Sequence, residues 1–479
     1  MIEGPFKKYR KGLDFIIMQD SETLKKYALV IICSASFLIP FIGNAIYLAV
    51  PSIAIDYQVS TLLVSWVIIA YFLASAAFLL PFGRLADIIG RKKLFVLGQL
   101  LFALASFLCA CAWSIQWLII FRIIHGVSAA LVLSTAIAIL SSVFPPEERG
   151  KILGINSAVI YLGLSLSPVL GGFLTYEWGW ASLFVLSGIL GLIIFILALA
   201  RLKGEWMGSP GESFDWRGSA MYIGGLVAFL YGVSSLREYW ASWLSALTGL
   251  MLLLIFIRHE LRIDSPLLPL RLLKGNRAFT YANLAALINF VATFAVIFLL
   301  SLYLQSILHF DAKTAGLFLL APPVVMAIVS PFAGRLSDRM DARLISAWGM
   351  IICMLSLLFF VFLHENTPVP LIIANLIFSG LGIGLFASPN INVVMGSVEQ
   401  RFYGVASSIL NSMRVIGQST SMVLASLVLS YYVGSVQLSA VSPEQLLTGI
   451  RVAFAVFTAI CLFGVVAAWQ KAKPGKENL

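Results

Sequence analysis

Residues 82–95, FGRLADIIGRKKLF, place a short and strongly charged turn inside a long apolar segment. A related stretch further along the chain, FAGRLSDRMDARLI at residues 332–345, repeats the start of this pattern. Charged residues are scarce elsewhere, since they make up 11% of the 479 residues, against roughly 25% in soluble domains. A charged turn that recurs in so apolar a chain indicates two structurally related halves.

The apolar residues around both turns fall into runs of roughly 18 to 25, each long enough for a helix to cross the ~30 Å hydrocarbon layer of a bilayer. Hydrophobic residues make up 60% of the chain, and the mean hydropathy is +0.97. We predict fourteen helical spans, centred near residues 38, 72, 103, 127, 161, 190, 226, 249, 290, 322, 354, 379, 419 and 457. The pattern excludes a soluble enzyme and predicts an all-α membrane protein.

Lysine and arginine residues are distributed unequally between the alternating loops. One set of loops, with both termini, receives 27 of the 32, and the other receives only Arg237, Lys313 and Arg451. Arg122 and Arg414 lie inside spans. Because short basic loops stay in the cytoplasm, both termini and both charged turns are predicted to be cytoplasmic, in a cell (plasma) membrane. The same bias accounts for the net charge of +10, so nucleic-acid binding is not expected.

The chain divides into two similar halves if two central spans are set aside. Each charged turn then joins the second and third helices of its half, which is the parallel internal repeat of many secondary transporters. We predict a cytoplasmic N-terminal segment (1–26), a six-helix half (27–200), a linker with two additional helices (201–277), a second six-helix half (278–470) and a cytoplasmic tail (471–479).

The first charged turn also carries a known signature, G-x-L-a-D-x-x-G-R-[RK], which is matched in full. Through it the chain resembles the major facilitator superfamily, and within it the fourteen-helix drug:proton antiporter class. The resemblance implies the major facilitator fold, with two six-helix halves plus two extra central helices, and a turn that latches one conformation. The second turn lacks the later Gly and Arg, where it has Asp341 and Ala342. The predicted latch residues are Gly83, Arg84, Asp87, Gly90, Arg91 and Lys92 in the first turn and Gly334, Arg335 and Asp338 in the second.

Two motifs in other spans support the resemblance. GLSLSPVLGG in the fifth span resembles the antiporter motif G-x3-G-P-x2-G-G through Gly163, Pro168, Gly171 and Gly172. In the fourth span, Arg122 resembles the arginine of an R-x3-G motif, which implies a role in proton coupling. His125, one turn away, could titrate near neutral pH. The alternatives are a small-residue packing face for the fifth span and structural roles for Arg122 and His125.

The interiors of the spans contain no acidic residue, and this separates the chain from the antiporter class. An embedded carboxylate is the usual proton carrier and the usual partner of a cationic substrate, and Ile42 stands where that class often has an Asp. The lone arginines of the spans favour neutral or anionic amphiphiles instead. The candidate substrate-binding residues are Asn44, Tyr47, Trp66, Tyr71, Asn289, Asn390, Asn392 and Arg414.

These features predict a secondary active transporter of the multidrug efflux type, which exports hydrophobic or amphiphilic compounds by rocker-switch alternating access, with protons as the candidate exchanged ion. The alternative is a facilitator or anion-coupled carrier of a neutral or anionic metabolite or lipid-like compound. The four histidines are scattered, which argues against a membrane enzyme. The expected partners are a small amphiphilic substrate and membrane lipids; we expect no cofactor, no metal and a monomer.

Overall fold

The structure is a computed structural model that describes residues 4–237, 240–263, 266–268, 276–337, 339–398, 403–434 and 441–470. Within these ranges the chain is helical and contains no strand. We group the helices into fourteen rods, α1 to α14, which run alternately between two ends of a bundle. The end that carries Gly90 is called the basic end, and the end that carries Gly179 is called the far end.

The N-terminal half contains the first six rods. α1 is interrupted and consists of Gly4–Ala45, a 3-10 turn at Ile46–Ala49 and a short helix at Val50–Asp56. Uninterrupted helices follow as α2 (Thr61–Ile89), α3 (Arg91–Ala110), α4 (Ile115–Val143), α5 (Pro146–Trp178) and α6 (Ala181–Arg201). α2 and α4 begin at serine N-caps, because the hydroxyls of Ser60 and Ser114 accept from the otherwise unpaired N–H groups of their first turns.

Two rods separate the halves, and six more complete the chain. The separating rods are α7 (Trp216–Ser234) and α8 (Ala241–Glu260). α9 is interrupted and consists of Arg277–Thr293, Val296–Leu302 and a π-helical turn at Tyr303–Ile307, and α10 consists of Ala312–Leu319 and Ala321–Ser337. The remaining rods are α11 (Ala342–Val361), α12 (Val369–Gly396), α13 (Tyr403–Val433) and α14 (Pro443–Trp469).

α10 begins at the N-cap Asp311, which lies in the turn between two spans. Its carboxylate accepts from the N–H of Thr314 at 2.8 Å and from the Thr314 hydroxyl at 3.0 Å. The hydrogen bond from the Thr314 N–H lowers the pKa of Asp311 because it stabilises the ionised form. The cap therefore places a fixed negative charge at the far end of the bundle.

Thirteen of the rods in the described part of the chain are long and apolar enough to cross a membrane, and α7 is the remaining one, with 19 residues. Their outer faces carry large apolar side chains, for example Trp243, Leu247, Met251 and Leu254 of α8, each more than half exposed. Such a surface suits contact with lipid. The prediction of an all-α, multi-pass membrane protein is confirmed.

The packing repeats between the halves. α2 and α3 pack on α4 in the first half, as α10 and α11 pack on α12 in the second. The halves meet along two seams, one between α2 and α13 and one between α5 and α10. α7 and α8 pack on each other, and α7 also contacts α2 and α13, with the Tyr222 hydroxyl donating to the Ala76 carbonyl at 3.1 Å. The additional pair thus covers the α2–α13 seam.

Candidate functional site

A cleft of about 630 Å³, including the part open to solvent, lies between the halves. α1, α2, α4 and α5 line it from the first half and α13 lines it from the second. It extends from the middle of the bundle toward the basic end, because its lining residues lie in the basic halves of α4, α5 and α13. Its polar lining groups are Ser36, Asn44, Tyr71, Ser75, Asn156, Asn411, Arg414 and Gln418.

Arg414 is the charged residue in this lining. Its guanidinium lies 5.7 Å from the centre of the Phe290 ring, and no hydrogen bond or ion pair joins it to another residue of the described ranges. Asn411 and Gln418 lie three residues before it and four after it, so the three side chains share one face of α13. The wall contributed by the second half is therefore polar and positively charged.

Arg122 lies behind the opposite wall and is fully buried. Its Nε donates to the Val67 carbonyl at 2.8 Å, and its Cζ atom lies 4.2 Å from the centre of the Tyr71 ring. Nη2 has no hydrogen-bond partner among the described residues. Because Tyr71 also lines the cleft, its aromatic ring lies between the charge of Arg122 and the cleft.

His125 holds the guanidinium of Arg122 from the other side. Nη1 of Arg122 lies 3.2 Å from Nδ1 of His125, and Nε2 of His125 lies 3.1 Å from the Ser106 hydroxyl. A guanidinium only donates, so Nδ1 accepts and the proton of the neutral ring is on Nε2. The Ser106 hydroxyl donates onward to the Phe102 carbonyl at 2.8 Å. The pair is a neutral imidazole bound to a buried cation.

The far end of the cleft is closed by contacts between the halves. The Tyr47 ring packs edge-on against Phe294 at a centroid distance of 6.1 Å, and the Ser301 hydroxyl donates to the Tyr47 carbonyl at 3.0 Å. On the α5–α10 seam, Gly172 and Gly316 pack so closely on the opposite backbone that an added Cβ would collide with a carbonyl oxygen. The cleft therefore lies on the basic side of these contacts.

The fifth-span motif forms part of this closure. Gly163 and Gly171 face the backbone of α1, and Gly172 faces the Ala312 carbonyl at the start of α10. The carbonyl of Pro168 is the atom that Gly316 approaches. The motif residues thus pack α5 against both a neighbour in its own half and the second half.

The first charged turn is held by contacts within the first half. Asp87 Oδ1 accepts from Nε of Arg91 at 2.8 Å and pairs with Nη2 at 2.7 Å. Nη1 of Arg91 donates to the Ala138 carbonyl at 3.1 Å and to the Ser142 hydroxyl at 2.6 Å, both on α4. In this conformation the Asp87 carboxylate is occupied by Arg91 rather than by a helix of the second half.

A segment of the connection between α6 and α7, residues 205–212, lies across this turn; we call it the strap. Glu205 accepts from the backbone N–H groups of Lys92 and Lys93 at 2.8 and 3.2 Å, which caps the start of α3. The N–H groups of Gly208 and Ser209 donate to the Asp87 carbonyl at 3.0 and 2.9 Å. Further bonds join the Arg91 N–H to the Trp206 carbonyl and Arg84 to Ser209 and Glu212.

The family model of the Major Facilitator Superfamily matches residues 32–421 and 282–478. The chain belongs to this superfamily. It is a transporter and not an enzyme, as the sequence predicted. It is 31% identical over 393 residues to the riboflavin transporter RibZ of Clostridioides difficile (strain 630), with 81% of this chain and 85% of RibZ covered.

A second relative is the multidrug resistance protein Stp of Mycobacterium tuberculosis (strain CDC 1551 / Oshkosh), at 29% identity over 406 residues, with 83% of this chain and 75% of Stp covered. Among solved structures, a bacterial homologue of the human lysosomal transporter Spinster superposes with a TM-score of 0.69 at 14% identity, over 93% of this chain and 96% of that one. This likeness supports the superfamily fold.

The structure brings three of the eight candidate substrate-binding residues to the cleft, namely Asn44, Tyr71 and Arg414. Tyr47 is fully buried in the far-end closure. Asn289 donates to the Met350 sulfur at 3.1 Å inside the second half, and Trp66 packs on Tyr231 of α7 at a centroid distance of 5.6 Å.

The other two candidates lie toward the basic end of α12. Asn390 lines a smaller pocket of about 280 Å³ beside Arg343, and Asn392 donates to the Ser337 hydroxyl at 2.6 Å. In the second charged turn, Gly334 packs near the Ser388 hydroxyl, and no hydrogen bond of Arg335 is formed within the described residues. Asp338 lies outside them.

Sequence reasoning missed Asn156, Asn411 and Gln418 in the cleft and Glu205, Ser209 and Glu212 in the strap. The i, i+3, i+7 spacing of Asn411, Arg414 and Gln418 within one span was a usable signal, because it places three polar groups on one helix face. The strap residues carry no comparable signal, because their partners are more than a hundred residues away.

Proposed function

We propose that this superfamily member exports hydrophobic or amphiphilic organic compounds across the cell membrane by rocker-switch alternating access. The observation that carries the proposal is the cleft between the halves, which lies on the basic side of the contacts that close its far end. The basic end holds most of the loop lysines and arginines, which supports a cytoplasmic position for it and for both termini. We infer that this conformation faces the cytoplasm, the side from which a compound would be loaded for export.

The relatives support an organic small-molecule substrate. One is a multidrug resistance protein and another is a riboflavin transporter. The cleft combines amide and hydroxyl groups with apolar walls such as Ile39, Leu133 and Val415, and sites of this composition bind small organic molecules with both apolar and polar parts. We propose that the monomer carries out transport, since each chain encloses its own cleft.

Alternating access can be tested at the far end, where Lys313 of α10 and Glu177 of α5 approach within 3.6 Å. We propose the double variant Glu177→Cys/Lys313→Cys, reconstituted in liposomes and joined by a short bismaleimide. Cross-linking should stop uptake of an amphiphilic dye into the liposomes, whereas Glu177→Cys alone and Lys313→Cys alone, which keep the five native cysteines and are treated in the same way, should keep their rates. Full transport by the cross-linked protein would contradict opening at this end.

Exchange for protons forms a separate part of the proposal, with Arg122 and His125 as the candidate coupling residues. Protonation of His125 would place two cations 3.2 Å apart, so coupling through it requires that Arg122 moves away. Transport in proteoliposomes with an imposed pH gradient tests this. If protons are exchanged, the gradient should drive accumulation, and His125→Gln should abolish that accumulation while facilitated exchange remains.

The second candidate is a facilitator or anion-coupled carrier that uses no proton. Two observations favour it: no acidic residue lies in the interior of a span, and Nδ1 of His125, where a proton would bind, faces Nη1 of Arg122 at 3.2 Å. Under this candidate a collapsed pH gradient would leave the transport rate unchanged, and the same vesicles therefore separate the two candidates.

A further inference from the structure

We propose that the cleft selects compounds that carry an anionic group, such as a carboxylate, and that Arg414 binds this group. The inference rests on the transport function proposed above and narrows it to a substrate class. Four observations carry it: the free guanidinium of Arg414, the neutral remainder of the lining, the second buried cation behind Tyr71, and the absence of a competing acid.

The guanidinium of Arg414 is available for a ligand. It lines the cleft, its neighbours among the described residues include the Phe290 ring at 5.7 Å and Tyr161 of α5, and no carboxylate or carbonyl of those residues accepts from it. A charged side chain near the middle of a membrane is costly unless it finds a partner. Because a guanidinium presents paired N–H donors, a carboxylate is the partner whose geometry it matches best.

The other polar groups of the cleft neither neutralise Arg414 nor attract a cation. They are hydroxyls and amides, and no acidic residue of the described chain lines the cleft. Asn411 and Gln418 flank Arg414 on the same face of α13 and can donate amide N–H groups to a bound anion. The α13 wall therefore offers one charge and two neutral donors to the same ligand.

The opposite wall adds a second positive charge. Arg122 stacks 4.2 Å from the centre of the Tyr71 ring, it has no acidic partner among the described residues, and its Nη2 has no hydrogen bond there. Charges in a low-dielectric interior act over longer distances than in water. An anion in the cleft would be attracted by both arginines, whereas a cation would be repelled by both.

The inference can be tested with a matched pair of probes, 2-naphthoate and the uncharged 2-naphthamide, which share their ring system. Binding to the purified full chain is measured in nanodiscs of neutral phosphatidylcholine by isothermal titration calorimetry. We expect naphthoate to bind at least about tenfold more tightly than naphthamide. Equal affinities in the wild-type protein would overturn the inference without the need for any variant.

Variants then assign the preference to Arg414. Arg414→Gln should remove the preference, Arg414→Lys should keep part of it, and Arg343→Gln, which changes a partly buried arginine in the first turn of α11, outside the cleft, should keep all of it. If Arg414→Gln does not fold, Arg414→Lys decides, because loss of the bidentate donor should reduce the preference by several-fold. A preference that is unchanged in Arg414→Lys and Arg414→Gln would refute the role of Arg414.

A lipid phosphate could occupy Arg414 in place of a substrate, and a second set of nanodiscs separates the two sources. Addition of phosphatidylglycerol should leave naphthoate binding unchanged; competition would assign the site to a headgroup and overturn the substrate claim. Measuring the transport of both probes by the wild-type protein in liposomes separates a failure of this inference from a failure of the proposed function. Transport of naphthamide with no preference for naphthoate would refute only the anion selectivity, whereas transport of neither probe would count against both.

Discussion

The two charged turns occupy equivalent places in the two halves, but their surroundings differ. In the first turn, Asp87 and Arg91 form an ion pair that continues to α4, and the strap adds backbone and side-chain hydrogen bonds from the opposite side. In the second turn, Asp341 bonds mainly to Arg343, two residues away on the surface. The internal repeat places a charged turn in each half. Hydrogen bonds from the strap, which belongs to the connection to the additional helices, stabilise the first of these turns.

The largest difference between the turns should appear on replacing a glycine. Gly90 has φ +123°, and a Cβ there would collide with the Glu205 carboxylate. We expect Gly90→Ala to lower stability by about 1–3 kcal/mol and to abolish most transport. The measurement is the thermal midpoint by fluorescence-detected size exclusion, together with vesicle uptake.

The comparison variant is Gly334→Ala, because Gly334 is the glycine of the second turn and Asp341 stands where the first turn has Gly90. Gly334 has an ordinary helical backbone, and its added Cβ would approach only the Ser388 hydroxyl, at 2.7 Å, which can rotate away. We expect Gly334→Ala to lower the thermal midpoint by less than about half as much as Gly90→Ala does. Equal decreases of the thermal midpoint in the two variants would show that the strap does not make the first turn more sensitive to an added Cβ than the second.

The next largest effect should follow removal of one charge from the first turn. Asp87→Asn breaks the pair with Arg91 and frees Arg91 from its position against α4. Because the wall of α4 lines the cleft, we expect transport to fall by roughly tenfold with little change in the thermal midpoint, since partly exposed ion pairs contribute little to stability. Asp341→Asn should change the transport rate by less than about twofold. A loss of transport as large as that of Asp87→Asn would show that the two charged turns do not differ in function.

A smaller effect is expected when the strap loses its cap on α3. Glu205→Gln keeps an acceptor for the N–H of Lys92 but removes the negative charge from the helix N-terminus, which is worth about 0.3–1 kcal/mol. The thermal midpoint should fall slightly, and raising the ionic strength should narrow the difference from the wild type. Glu365→Gln, an exposed residue at the far end, is the control that should show no shift.

The smallest effect concerns the two arginines that follow the first glycine of each turn. Arg84 bonds to Ser209 and Glu212 of the strap, whereas Arg335 forms no hydrogen bond within the described residues. Arg84→Gln should increase proteolysis within residues 205–212, measured by limited Glu-C digestion at Glu205 and Glu212, and Arg335→Gln should leave it unchanged. Identical digestion patterns would mean that Arg84 does not hold the strap.

The fold and the first turn were predictable from the sequence because hydropathy, loop charge and a spaced motif are all local signals. The cleft was predictable only in part. Asn44 and Arg414 line it, while Asn289 and Tyr47 do not, because each residue along a helix turns the side chain by about 100° and span composition does not set the rotation of the rod. Packing against neighbouring helices sets it, as Met350 does for Asn289.

The strap could not be predicted for a different reason. Glu205 contacts Lys92 across 113 positions of sequence, and an acidic residue in a polar connection is ordinarily a solvated one. Its role depends on the α6–α7 connection returning across the first turn, which is a feature of the tertiary path. The same holds for Arg122. It lies one helical turn from His125 in the sequence, but the contact between the guanidinium and the imidazole could not be predicted without the structure.

The cover that α7 provides over the α2–α13 seam makes the two sides of the transporter unequal for lipid-borne solutes. On the opposite side, α10 packs on α5 mainly through its first segment, Ala312–Leu319, and neither α7 nor α8 is among the helices that pack on this seam in the described chain. We therefore expect a compound dissolved in the bilayer to reach the cleft more readily between α5 and α10 than across the covered α2–α13 seam. The additional helix pair thus restricts lateral access to the cleft on one side of the bundle.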